Sequence, residues 1–207
     1  MPRAILAITL IFVLFAVLHS LLAADRTKRL AIKLAGSGSV KAFYRLFYVA
    51  LSAVSAVAAF YLIGGLPDVT IWRPPIIARA LMSLVQLAGL VLGLAAFSGM
   101  DALEFVGIRQ ALRRLKAMDE APGDEEGIRQ RLVTGGLYGV IRHPLYTAGI
   151  LVFTFVPVLT RNRLTVSALA DLYFIYGALI EEKRLLKRFG QEYREYMKKV
   201  PRFIPRI

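Results

Sequence analysis

The chain has 207 residues, 57% of them apolar and 20% charged, and its mean hydropathy of +0.58 is too high for an ordinary soluble domain of this length. The absence of Cys excludes disulfides, thiolate metal sites and a cysteine nucleophile. The net charge of +13 does not point to nucleic acid, because the Lys and Arg flank apolar runs instead of forming one patch.

The first apolar run, Ala4–Ala24, carries one ionisable group, His19. About twenty helical residues rise about 30 Å, the thickness of a bilayer hydrocarbon core. The run reads as a retained helix and not a cleaved signal peptide, because it is long and lacks a small-x-small site before the basic segment Asp25–Lys41. A second run extends from Phe47 to Leu66 and is closed by Gly64, Gly65 and Pro67. The third, Ile76–Phe97, is interrupted by Arg79, near enough to its outer end to snorkel, and by the deeper Gln86, which needs a neighbouring helix or water. The region 101–118 mixes helix-compatible apolar positions with charges, and 119–127 reads as an acidic turn around Pro122 and Gly123. Pro144–Thr160 and Leu164–Ile180, joined by Arg161, Asn162 and Arg163, form a hairpin of two short spans, with Pro157 bending the first.

These runs predict an all-α, polytopic integral membrane protein with about five transmembrane helices. The single membrane domain, 1–207, divides into three N-terminal helices over 1–100, a cytoplasmic connecting segment over 101–143, and the hairpin with a C-terminal segment over 144–207. A re-entrant last hairpin would leave four spans. Six Lys or Arg against one acid over 25–45, and nine against four after Ile180, place these stretches in the cytoplasm. The N-terminus then faces outward from an inner or cytoplasmic membrane. Beyond Ile180 the helix pattern continues to Phe189 and Gly190. Tyr193, Tyr196, Met197 and Val200 then recur at helical spacing as a packing face, and Pro201–Pro205 reads as an extended strap.

Polar residues at span ends carry the functional signal. Arg142, His143 and Tyr146 stand at the mouth of the fourth span, with Pro144 suited to a first helical turn. Upstream, Gly135-Gly136 forms a turn able to bring backbone amides against a ligand. Asp171 and Glu182, about three helical turns apart, share a face, either as a ligand-holding column or as internal glue with Arg184, Lys187 and Arg188. Two distant histidines make no metal set.

The stretch LVTGGLYGVIRHPLY, Leu132–Tyr146, resembles the cofactor-binding signature of the isoprenylcysteine carboxyl methyltransferase and phospholipid methyltransferase superfamily, as does IEEKRLLKRFGQEYREYMKKVPRFIP, Ile180–Pro205. The preceding two thirds look like the NnrU-like and methanethiol S-methyltransferase branch, through LHSLLA at Leu18–Ala23, YRLFY at Tyr44–Tyr48 and FVGIRQ at Phe105–Gln110. The resemblance implies an S-adenosylmethionine-dependent methyltransferase with a cytoplasmic C-terminal cofactor-binding region. Gly135, Gly136, Leu137 and Tyr138 would border the nucleoside. Arg142, His143 and Tyr146 would contact the amino-acid end of the cofactor or frame the reacting centre, with His143 the nearest base for a thiol. Glu182, beside Glu181, would hold the ammonium, while Tyr193 and the strap through Ile204 and Pro205 would close the pocket.

A lipophilic acceptor would enter from the bilayer near His19, Tyr44, Gln86, Arg109 and Gln110, and Arg202 would pair with a pocket carboxylate or sit at the membrane surface. A small thiol is the leading acceptor. Prenylcysteine carboxylate and a lipid amine follow, and a non-enzymatic NnrU-like transporter or assembly factor is the reading of another class.

Overall fold

The computed structural model describes residues 2–97, 101–116 and 132–206. Helices α1 (Pro2–Ala23), α2 (Asp25–Ala35) and α3 (Ser37–Gly64) precede a short strand β1 (Thr70–Trp72) and α4 (Ile76–Phe97). After them come α5 (Ala102–Val106), α6 (Ile108–Leu115), α7 (Pro144–Thr154), strand β2 (Leu159–Thr160), α8 (Arg161–Phe189) and α9 (Gln191–Lys199). Among the described residues, four helices, α1, α3, α4 and α8, are long and apolar enough to cross a membrane. Their large apolar side chains face outward, with Leu14 70% and Leu94 74% exposed, which suits hydrocarbon and not water. The chain is an all-α integral membrane protein. The acidic turn expected over 119–127 lies outside the described residues.

The chain forms two compact units, one from residues 2–9, 67–97 and 132–206, the other from 10–66 and 101–116. In the second unit α3 begins ten residues before the expected Phe47, because a positive φ of 79° at Gly36 breaks the chain from α2 and the polar positions Lys41, Tyr44 and Arg45 continue the helix. The α5–α6 corner turns at Gly107 (φ 94°), where a Cβ would lie 2.6 Å from the Leu46 backbone nitrogen, so only glycine admits this approach to α3.

In the first unit α4, α7 and α8 pack as antiparallel neighbours. Gln86 meets its need for a partner by donating from Nε2 to the Val152 carbonyl at 2.8 Å. Glycines allow close contact: a Cβ at Gly89 would stand 2.9 Å from Leu151 Cβ, and one at Gly149 only 2.6 Å from the Phe174 ring. Asp171 Oδ2 accepts from Thr154 Oγ1 at 2.7 Å, which ties this acid to α7, three turns before Glu182 on the continuous α8.

The helix expected over Pro144–Thr160 ends at Thr154, a correction with a local cause. Pro157 has no N–H and disfavours helical geometry at Val156, and Phe155 already leaves it at φ −89°, ψ 56°. Residues 155–160 continue to β2, which pairs antiparallel with β1, Thr70 opposite Thr160. Segment 144–160 therefore returns the chain to the end at which α4 began, in part as helix and in part extended. Arg161–Arg163, expected as a connector, are the first turn of α8. Thr160 caps that turn by accepting from the Arg163 N–H at 3.2 Å, Asp68 Oδ1 accepts the Asn162 N–H at 3.0 Å, and Arg161 Nη2 donates to the Pro67 carbonyl at 2.7 Å. As expected, α8 runs through Phe189 and stops at Gly190.

Candidate functional site

The opposite end of the α7–α8 pair is closed by charge. Arg142 precedes α7, Glu182 lies on the last turns of α8, and Arg202 follows α9. The buried Glu182 Oε1 accepts Arg142 Nε at 3.0 Å, Arg142 Nη2 at 2.8 Å and Arg202 Nε at 3.0 Å, and Oε2 accepts Arg202 Nη2 at 2.6 Å. The partners expected on its own helix, Arg184, Lys187 and Arg188, are exposed, and Glu182 is instead held by Arg142 and by Arg202, the latter expected on a pocket carboxylate. Two such forks on one carboxylate keep it an anion and orient it.

Arg142 also fastens the C-terminal segment. Its Nη1 donates to the Met197 and Val200 carbonyls, its backbone N–H to Pro201 O at 2.8 Å, and the His143 N–H to Arg202 O at 3.2 Å. Thr147 Oγ1 adds a bond to Phe203 O at 3.2 Å. Beneath this strap, Tyr193, Tyr196 and Val200 form a buried core with Leu185, Leu186 and Phe189 around it, the packing face that the spacing in α9 predicts. The Tyr196 hydroxyl donates to Tyr138 O, joining α9 to the 3-10 turn Gly136–Gly139, where Gly136 has φ 58°.

His143 is buried, its ring between Tyr146 (centroids 5.5 Å apart) and Phe203 (6.0 Å). Its Nε2 stands 3.2 Å from Glu182 Oε1 and its Nδ1 3.9 Å from Glu181 Oε2. Pairing donor with acceptor puts the ring proton on Nε2 and leaves Nδ1 as the basic nitrogen. Burial pushes the imidazole below its ordinary value, against the opposing pull of the Glu181 and Glu182 carboxylates. The ring is therefore neutral near pH 7. Burial likewise raises the Tyr196 phenol to about 12, and raises Tyr193 beyond the ordinary range with help from the Glu182 charge.

The structure thus brings Tyr138, Arg142, His143, Tyr146, Glu181, Glu182, Tyr193 and Arg202 into one region. Gly135, Ile204 and Pro205 are exposed at its margins, and Leu137 is half-buried. Gln86 is engaged deep in the same unit. Tyr44 and Gln110 belong to the other unit and line a cavity there with Tyr48, while His19 bonds Tyr48 (2.7 Å) and Ser52 (3.1 Å), and Arg109 pairs with Asp101 at 2.8 Å. Sequence reasoning missed Thr147 and the Pro201 and Arg202 carbonyls, whose roles arise from backbone contacts across more than fifty residues.

Two features bear on whether the region suits an amino-acid-bearing cofactor. The Tyr193 hydroxyl is buried with no hydrogen-bond partner among the described residues, and Arg202, with 36% of its side chain exposed, uses only Nε and Nη2 on Glu182. A buried polar atom without a partner is costly, so a ligand group at Tyr193 would relieve it. Glu182 itself is buried and already engaged by Arg142, His143 and Arg202. Glu181, at 32% exposure, is the more accessible carboxylate.

Residues 7–176 match the NnrU protein family. The chain belongs to that family. This NnrU-family chain is also 31% identical over 205 residues to Methanethiol S-methyltransferase 1 of Bradyrhizobium diazoefficiens, a match covering 98% of the chain and 67% of that protein. It is 30% identical over 207 residues to the Methanethiol S-methyltransferase of Pseudomonas deceptionensis, covering 100% and 74%, and 29% identical over 205 residues to Methanethiol S-methyltransferase 2 of B. diazoefficiens, covering 99% and 74%. No solved structure matches the chain. The NnrU match includes Arg142 and His143 but stops before Glu182, whereas the three relatives align across the whole cluster.

Proposed function

We propose that this NnrU-family protein is an S-adenosylmethionine-dependent methyltransferase acting on a small lipophilic thiol. The observation that carries the reading is the convergence of Arg142, His143 and Arg202 on the buried Glu182 from three separate segments, in a chain whose relatives are named for methanethiol S-methylation. When bound, S-adenosylmethionine supplies an electrophilic methyl on a positively charged sulfur. Glu181 would hold its ammonium, Arg202 would meet its carboxylate, Tyr193 would offer its hydroxyl, and the turn Gly135–Tyr138 would border its nucleoside. Glu182, the residue expected to hold the ammonium, instead fixes Arg142, Arg202 and the His143 tautomer.

The chain's own residues then have two tasks. The first is alignment, since an in-line displacement depends on the nucleophile and the departing sulfur standing opposite one another; the strap held by Arg142 and Thr147 supplies the rigid wall. The second is removal of the thiol proton, for which His143 Nδ1, with Nε2–H anchored on Glu182, is the base. His143 Nδ1 would take the proton as the thiol sulfur accepts the methyl carbon, and the cofactor would leave as a neutral thioether. The acceptor arrives from the bilayer, the N-terminus faces outward, and the basic C-terminal segment is cytoplasmic. Five crossings satisfy that orientation, with 144–160 making the fourth.

The test is calorimetric titration of the purified protein in detergent with S-adenosylmethionine, followed by assay of methanethiol conversion to dimethyl sulfide. Expected are saturable binding weakened about tenfold or more by Glu181→Gln, and turnover lost in His143→Ala with binding largely kept. A folded parent that binds no S-adenosylmethionine would sink the methyltransferase reading and leave a non-enzymatic NnrU role.

A further inference from the structure

In the first unit, two glycines of the α7–α8 pair meet rings instead of backbone. Tyr146 and Gly149 stand three residues apart on α7, and Phe174 and Gly177 stand three apart on the antiparallel α8. A Cβ at Gly149 would lie 2.6 Å from the Phe174 ring, and one at Gly177 would meet the Tyr146 ring and hydroxyl at 3.5 Å, so the ring of each helix sits over the glycine of the other. Gly89 on α4 does the more ordinary work of a membrane glycine, since a Cβ there would come within 3.1 Å of the Ala148 carbonyl and hold two backbones apart. The seats at 149 and 177 instead hold a file of aromatic rings between the helices. Centroid to centroid, His143 is 5.5 Å from Tyr146, Tyr146 is 6.2 Å from Phe174, and Phe174 is 5.9 Å from Phe153.

This file starts at the base of the proposed methyl transfer and leads away from the charged end into the apolar length of α7. His143 Nδ1 faces Glu181, which follows Gly177 by one turn on the same face of α8. An acceptor sulfur at Nδ1 therefore has Tyr146, seated on Gly177, on its bilayer side. Phe174 comes next, over Gly149, which lies about 9 Å of helical rise along α7 from His143. A one-carbon thiol needs no space in that direction. An alkyl tail laid along the groove toward hydrocarbon meets the Tyr146 ring, and Phe174 fills the space into which that ring would have to turn.

We propose that Tyr146 and Phe174 are specificity-determining residues that close the α7–α8 groove beside His143 and restrict the acceptor to short-chain thiols. The proposal rests on the methyltransferase reading and adds to it the groups that exclude long alkyl and prenyl acceptors. Phe174 is the residue to change, because it is packed on Tyr146 and stands one ring away from the base.

The full chain in detergent, supplied with S-adenosylmethionine, is assayed on methanethiol and on 1-butanethiol, and the two kcat/KM values are compared. The parent should prefer methanethiol. Phe174→Ala should raise the ratio for 1-butanethiol over methanethiol by about tenfold or more, the scale on which an apolar pocket discriminates a methylene. Phe153→Ala removes the ring beyond Phe174 and also leaves a void, yet should keep the parent's ratio. Phe174→Leu loses less volume, covers the case in which the alanine variant does not fold, and should move the ratio in the same direction by less. With no S-adenosylmethionine present, 1-butanethiol should raise the unfolding midpoint of Phe174→Ala by about 3 °C relative to the parent, as a ligand filling an apolar cavity does. A parent as active on 1-butanethiol as on methanethiol, a ratio unchanged in both Phe174 variants, an equal rise in Phe153→Ala, or an equal midpoint shift in parent and variant would overturn the gate and leave the methyltransferase reading standing. A folded parent that methylates neither thiol would instead overturn the reading beneath it.

Discussion

The two ends of the α7–α8 pair are held by different physics. At the β1–β2 end the contacts are strand pairing, a Thr160 cap and single bonds to backbone groups, with Asp68 accepting the Asn162 N–H and Arg161 and Asn162 donating to the Pro67 carbonyl. At the other end a buried carboxylate is clamped by two guanidiniums from segments 40 and 20 residues away, which also hold the C-terminal strap. Neutral caps can be lost one at a time at modest cost. A buried ion cluster cannot, because removing one member leaves the others desolvated and uncompensated. The charged end therefore has more to lose, and there Glu181 and Arg202 are partly exposed while the buried Tyr193 hydroxyl has no hydrogen-bond partner among the described residues.

The largest expected effect follows directly. Glu182→Gln keeps the shape of the side chain but leaves Arg142 and Arg202 facing a neutral amide, and should destabilise the protein by about 3 kcal/mol, with cofactor binding lost through the collapse of the strap. Thermal unfolding in detergent, with titration of S-adenosylmethionine at a temperature where the variant is folded, checks both. A variant as stable as the parent would mean that the two ends do not differ as argued. Between the ends, Gly149→Ala would drive a Cβ into the Phe174 ring from 2.6 Å and should cost about 1–3 kcal/mol. Pairing it with Phe174→Leu should recover part of the loss, which identifies overpacking as the cause.

Much of this arrangement was legible in the sequence, and the failures share a cause. The bounds of Ile76–Phe97 are legible because Pro74 and Pro75 precede a largely apolar run that Arg79 and Gln86 only interrupt. The stripe Tyr193, Tyr196, Val200 was read because helical spacing is local. The end of α7 was misread because hydropathy stays high through Phe155, Val156 and Val158, and the helix stops for a backbone reason at Pro157. The β1–β2 pair left no signal, since two or three residues show no alternation and their partners lie about ninety positions apart. Arg142, Glu182 and Arg202 were all singled out, yet the sequence offered Glu182 as a ligand carboxylate with partners on its own helix. Which cations reach it is decided by how the strap folds back, and no spacing within α8 encodes that.

Protonation should separate the two ends more gently. Burial depresses the His143 pKa in the folded protein, so the unfolded chain takes up the proton more readily as pH falls through the ordinary histidine range. The stability associated with the neutral ring is thus present above about pH 6.5 and is lost as pH falls below it. Unfolding midpoints measured from pH 8 to pH 5 should decline over that lower interval, and His143→Gln should flatten the decline. An unchanged slope in the variant would mean that other groups carry it.

The smallest effect belongs to the β1–β2 end. Thr160→Ala removes the side-chain oxygen that accepts the Arg163 N–H at the start of α8 and should cost about 1 kcal/mol, while Thr160→Ser should cost less because the hydroxyl is kept. Neither substitution should alter binding of S-adenosylmethionine at the other end, about 30 Å away along α8 by helical rise. If Thr160→Ala weakened that binding as well, the two ends would be coupled through the close Gly149–Phe174 contact, and the β1–β2 pair would have to be counted among the elements that position His143.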